Sequence, residues 1–161
     1  MMEELSKYDI LLIVGNYGAG KSQLAREHFG DRKRINRHEL RYHLVEMTNH
    51  GRKWSPEDWD EELEGLVKHL ETDIIQHYLE RRQKIIIDNT SLTRKSRAPY
   101  VALAKKFHQT IACIFLDRDI SVLLRQNRMR EYAVPDHVII QLHAKTEVPS
   151  PEEGFGRVVV Q

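Results

Sequence analysis

GNYGAGKS, residues 15–22, decides the fold. It matches G-x-x-x-x-G-K-[ST], a loop whose glycines let the backbone curl until its N–H groups converge on a phosphate. The amides of Gly15, Asn16, Tyr17, Gly18, Ala19 and Gly20 would form the cradle. Lys21 would neutralise terminal phosphate oxygens, and Ser22 would place a hydroxyl on Mg²⁺. The flanks agree with this mechanism. DILLIV (9–14) is a compact apolar run that reads as a buried strand, and SQLAREHF (22–29) has helical character. Strand, glycine loop and helix together imply a site for Mg²⁺ with ATP or GTP.

Outward from the loop, the remaining chain alternates strands and helices. RINR (34–37), KIIID (84–88), TIACIFL (110–116) and RVVV (157–160) read as four further strands. Asn36 can cap a helix, with Glu39 three residues on. Ser55-Pro56-Glu57-Asp58 predicts a strong helix start, and Trp59, Leu63, Leu66, Leu70, Ile74 and Tyr78 recur as its core stripe to about residue 81. Thr93 caps another helix. Residues 119–131 form a basic one, and Pro135 opens a last one. This pattern predicts an α/β P-loop NTPase: a parallel five-stranded sheet flanked by helices, with a helical lid, in one domain over residues 1–161. An acidic residue at the end of a neighbouring strand should order the water around the magnesium ion. Asp88 fits, and Asp117 is its rival.

Composition narrows the classes. The chain has 161 residues, a formal net charge of +1 and one cysteine, Cys113, inside an apolar run. One thiol excludes a disulfide framework or a cysteine-based metal site. The histidines form no HExxH-type pair, so a structural zinc site is not expected. No apolar run is long enough to span a bilayer and no secretory leader is evident, so the cytoplasm is the expected compartment and no membrane partner is expected. Near-neutral charge gives no bulk field for nucleic acid. Basic clusters at 32–43, 94–97 and 125–130 could still form a local anion-binding face.

Three stretches beyond the loop carry a resemblance. IIIDNTSLTRKSRAPY (85–100), RQNRMRE (125–131) and VPSPEEGF (148–155) together resemble the kinase domain of the 5′-hydroxyl polynucleotide kinases of phage and mammals. The order and spacing run from Gly15 to Phe155. The resemblance implies an ATP-dependent transfer of the γ-phosphate to the 5′-OH end of RNA or DNA. It implies Lys21 and Ser22 for ATP and Mg²⁺, Asp88 as the acidic metal position, and Arg130 as the lid arginine over the transferring phosphate, with Arg128 in support. In INRHELR (35–41), Arg37 and Arg41 fall among acceptor-phosphate contacts. Arg94, Lys95 and Arg97 would add phosphate contacts after the third strand. Trp54 or Trp59 could stack a base, although Trp59 reads better as core.

The chain departs from that family at two positions, the lesser being Tyr17, where the family often has proline. An aspartate follows Asn-Arg in the relatives, accepting the hydroxyl proton; here His38 stands in its place. A neutral imidazole can accept that proton, and flanking guanidiniums would keep it neutral. Glu39 is a second candidate base, and a helix cap without a base is a third reading. Two other functions therefore stay open: a P-loop kinase for a metabolite, nucleoside or antibiotic, and a nucleotide-binding module without transfer activity.

Overall fold

The computed structural model describes residues 2–161. Strands β1 (Ile10–Val14), β2 (Lys33–Ile35), β3 (Ile85–Asp88), β4 (Ile111–Phe115) and β5 (Arg157–Val160) pair in parallel in the order β2-β3-β1-β4-β5. All of β1, β3 and β4 is buried. Unbroken apolar runs are what strands covered on both faces require.

Alternate residues of those strands feed two cores. Leu12, Val14, Ile87, Cys113 and Phe115 pack with Ile75 and Leu79 of α4 (Glu61–Glu80) and Tyr100, Val101 and Ala104 of α5 (Arg94–Lys106). Leu11, Ile13, Ile86 and Ile114 pack on the other face. Their partners are Leu5 of α1 (Met2–Ser6), Ala25 of α2 (Lys21–His28), Leu123 of α6 (Ile120–Arg128) and Ile139 of α7 (Asp136–Ala144). Helix α3 (Arg37–Thr48) packs on α4. No helix among the described residues is long and apolar enough to cross a membrane.

One helix differs from expectation. Ser55-Pro56-Glu57-Asp58 does form a capping box, but it opens only a 3₁₀ turn, Pro56–Asp58. The chain then extends at Trp59 and restarts under a second cap, with the Asp60 side chain accepting from the Leu63 amide at 2.8 Å. The restart rotates the buried face to Val67, Glu71, Ile75 and Leu79. Trp59 is left 55% exposed, and Leu66 is exposed as well. The predicted stripe was offset by one residue from the buried one.

The lid is a pair, α6 and α7, tied at its turn by Asn127. Its amide donates to Val134 O at 2.7 Å, and its Oδ1 accepts from the Val134 amide at 3.1 Å. Asn16, buried in the loop after β1, donates from Nδ2 to Ile139 O at 2.9 Å and so anchors α7 to the loop.

Candidate active site

The glycine loop joins β1 to α2. Gly18 has φ 81°, and a Cβ there would stand 2.5 Å from Leu123 O, so only glycine lets α6 lie against the loop. Gly20, with φ 90°, faces open space. It precedes a helix whose first N–H groups receive no side-chain cap. Those amides carry the positive end of the helix and suit an anion. Lys21 lies alongside, buried, with Nζ donating to Asn16 O at 2.9 Å. Burial lowers its pKa to about 8; Asp88 opposes the shift and Arg130 adds to it.

Asp88 ends β3 beside this loop and is 1% exposed. Its Oδ1 is buried without a partner, while Oδ2 accepts from Arg34 Nε at 2.8 Å and forms an ion pair with Nη2 at 2.6 Å. The same Nη2 donates to Ser22 Oγ at 3.2 Å. Ser22 and Asp88 thus lie within the reach of one guanidinium, and hydroxyl plus carboxylate is the oxygen set that Mg²⁺ takes. The residues fit a magnesium ion. Asp117, the rival, is exposed at the end of β4.

A crevice of about 640 Å³ opens between the loop, α3 and the lid. His38 faces it from the first turn of α3, which Asn36 caps by accepting from the Glu39 amide at 2.8 Å. Its Nε2 is buried without a partner. Burial, then the charges of Arg41 and Arg130, lower the imidazole pKa from 6.5 to about 4. The sequence suggested Arg37 and Arg41 for this role; Arg130 takes the place of Arg37. Arg41 is held by Glu64 through Nε and, at 3.0 Å, Nη2, and it stacks 5.3 Å from the Trp54 ring centroid. Glu39 lines the crevice, but its carboxylate faces Arg34 at 2.9 Å and Arg26 at 3.3 Å.

Several expected substrate contacts turn elsewhere. Arg37 borders the crevice, yet its guanidinium binds Glu71 at 2.6 and 3.0 Å and the Tyr100 hydroxyl at 3.1 Å. Glu71 is 2% exposed, so Arg37 compensates a buried carboxylate. Arg97 has no exposed surface: Nε and Nη2 clasp Glu153 at 2.8 and 2.7 Å, and Nη1 donates to Ser91 O at 3.0 Å. It is a structural clamp and cannot touch an acceptor. Arg94 is exposed at the start of α5, outside the residues that line the crevice. Arg128, the last residue of α6, pairs with Asp136 across the lid at 2.6 Å, whereas Arg130 lies in the turn beyond the helix end and lines the crevice. Arg26, Arg34, Tyr42, Lys53 and Tyr132 were missed. Of these, only Arg34 had a signal: it lies at the carboxyl end of a strand in a parallel sheet, where ligands bind.

A second crevice, about 510 Å³, runs over Gly18, Gly20 and Ser22 towards Arg118 and Gln126. Lys21, Ser22 and Arg130 line both crevices. Arg130 Cζ stands 5.4 Å and Lys21 Nζ 5.9 Å from the ring centroid of Tyr17, so one aromatic ring supports both cations.

The profile of the AAA domain family matches residues 10–149. The chain is similar to the L-seryl-tRNA(Sec) kinase of Methanococcus maripaludis, with 25% identity over 56% of this chain and 36% of that one. It is similar to the bifunctional polynucleotide phosphatase/kinase of Schizosaccharomyces pombe, with 29% identity over 50% and 21%. The chain therefore spans about a third or less of the length of these relatives. In structure it superposes on a gluconokinase from Sinorhizobium meliloti 1021 with a TM-score of 0.58 and 19% identity, over 93% of this chain and 79% of that one. A sequence profile that covers most of the chain, and a parallel sheet with its glycine loop at the expected strand end, place the chain in the AAA domain family, with the fold of the P-loop kinases.

Proposed function

We propose that residues 1–161 act as one domain, an ATP-dependent kinase that transfers the γ-phosphoryl group to the 5′-hydroxyl end of a polynucleotide, RNA or DNA. The observation that carries the reading is the meeting of two crevices at Lys21, Ser22 and Arg130. A triphosphate on the loop side and a hydroxyl on the α3 side would face each other across those residues. The two relatives, one a kinase of a seryl-tRNA and one a polynucleotide phosphatase/kinase, support an acceptor that is a nucleic acid or is carried on one.

In transfer, the acceptor oxygen forms a bond to the γ-phosphorus as the bond to the β-phosphate oxygen breaks. Lys21 and Arg130 offset charge on the phosphoryl oxygens as they separate from the leaving group. The hydroxyl proton passes to the imidazole of His38 and then to solvent. Ser22 and Asp88 would hold the magnesium ion, which supplies further charge neutralisation. Arg41 walls the acceptor side, backed by Trp54.

One observation favours a smaller acceptor. With Arg37 and Arg97 engaged internally, Arg94 outside the crevice, Arg26 paired with Glu39 and Arg41 with Glu64, few of its cations remain to track a phosphate backbone. Labelled γ-phosphate and matched oligonucleotides decide between the readings. A 5′-hydroxyl oligonucleotide should accept label and its 5′-phosphorylated twin should not, with an acceptor KM that rises steeply with salt. Transfer to a sugar or nucleoside but to no oligonucleotide would overturn the polynucleotide reading. Tight ATP binding with no acceptor in either class would overturn transfer itself.

A further inference from the structure

We propose that Arg34 is a tethered cation that occupies the divalent-metal position of the nucleotide-free chain, so that its guanidinium and the metal exclude each other between Ser22 and Asp88. The proposal rests on the magnesium reading of those two residues. The geometry is specific. A single nitrogen, Nη2, reaches Ser22 Oγ at 3.2 Å and Asp88 Oδ2 at 2.6 Å. Ser22 and Asp88 are the residues that would hold a magnesium ion, so the guanidinium and the ion would draw on the same hydroxyl and carboxylate. A hydroxyl lone pair that faces a guanidinium is not open to a metal, and two positive charges at such separation repel strongly.

The guanidinium does not replace the metal fully. Asp88 Oδ1 stays buried and unpartnered, so the carboxylate is half satisfied. An uncompensated buried carboxylate is costly, and a cation tied to the chain limits that cost until a better one arrives. Arg34 also has somewhere to go. Nη1 already binds Glu39 at 2.9 Å, the side chain keeps 18% of its surface exposed, and Glu39 lies on the crevice side. Release from Asp88 can therefore leave Arg34 held by Glu39. Loading of metal with nucleotide would then be an exchange of cations. Without metal, Arg34 lends its charge to the phosphate side of Ser22.

Equilibrium binding of mant-ADP, measured in EDTA and again in Mg²⁺, tests this. The readout is the ratio of the two dissociation constants. Arg34→Gln should weaken binding in EDTA and strengthen it in Mg²⁺, raising the ratio about tenfold over wild type, the equivalent of about 1.4 kcal/mol. Arg34→Lys keeps the charge but cannot span both oxygens, and should raise it about threefold. It also serves if the glutamine variant does not fold. Asp88→Asn should bring the ratio towards one. If Asp88→Asn lowers the ratio while both Arg34 variants leave it at or below wild type, the exchange is wrong and the metal reading stands. If Asp88→Asn leaves the wild-type ratio intact, the metal reading falls and the proposal with it.

Discussion

The imidazole of His38 meets the indole of Trp54 edge to face, with ring centroids 5.8 Å apart and planes at 89°. Arg41 stacks on the same indole. In this setting the imidazole pKa falls to about 4, close to the aspartate reference of about 3.9. The histidine is thus about as weak a base as an ordinary aspartate, and it is neutral at pH 7. His38→Ala should lower kcat about 10²–10⁴-fold, with the KM for ATP little changed. His38→Asp should keep kcat within about tenfold of wild type, since the same two arginines favour a charged carboxylate. Steady-state kinetics with both substrates decide the matter, and full activity in the alanine variant would remove His38 from the reaction.

Lys21 sets the pH dependence of nucleotide binding. In the free chain its pKa is about 8, lowered by burial. A bound phosphate favours the ammonium, so the pKa rises on binding and protons are taken up. Affinity for ADP should be full below pH 8 and decline as pH rises through it. Calorimetry at pH 8, in buffers of different ionisation enthalpy, should report uptake of about half a proton. Lys21→Arg should bind with no such dependence, because a guanidinium does not titrate there. His38 adds no inflection near pH 6.5, so kcat/KM should stay flat from about pH 6 to 7.5.

The loop and the sheet were legible because their chemistry is local. GNYGAGKS needs only a strand before it and a helix after it, and RVVV reads as a strand by itself. The site was legible where a residue is fixed by its distance from a strand end, as with Asp88 and His38. It was illegible where a partner lies far along the chain. Arg97 looks like a phosphate contact until Glu153, 56 residues away, closes on it. Arg37 looks free until Glu71 appears beneath it. Nothing in the spacing of Ser55, Pro56 and Trp59 shows that Asp60 would cap the helix afresh.

Those distant partners carry stability. The Arg97–Glu153 pair is enclosed, with side-chain exposures of 0% and 5%. Arg97 also holds Ser91 O, on a residue with φ 47° that needs support in the left-handed region. Glu153→Gln leaves a buried guanidinium uncompensated and should cost about 3–5 kcal/mol. The melting temperature should fall by about 10 °C. Thermal denaturation followed by circular dichroism measures it. An unchanged midpoint would mean that the pair contributes nothing net.

Tyr17 stands where the resembled family often has proline, and it lies within cation–π range of both Lys21 and Arg130. Each such contact is worth about 0.5–2 kcal/mol. The ring holds the lid arginine over the loop before substrate arrives, so less side-chain freedom is lost when the phosphates bind. Tyr17→Leu keeps bulk but loses the π face, and should raise the KM for ATP and lower kcat by about three- to thirtyfold in kcat/KM. Tyr17→Phe keeps the face and should stay near wild type. Equal losses in the two variants would mean that the hydroxyl, and not the ring, is what the site uses.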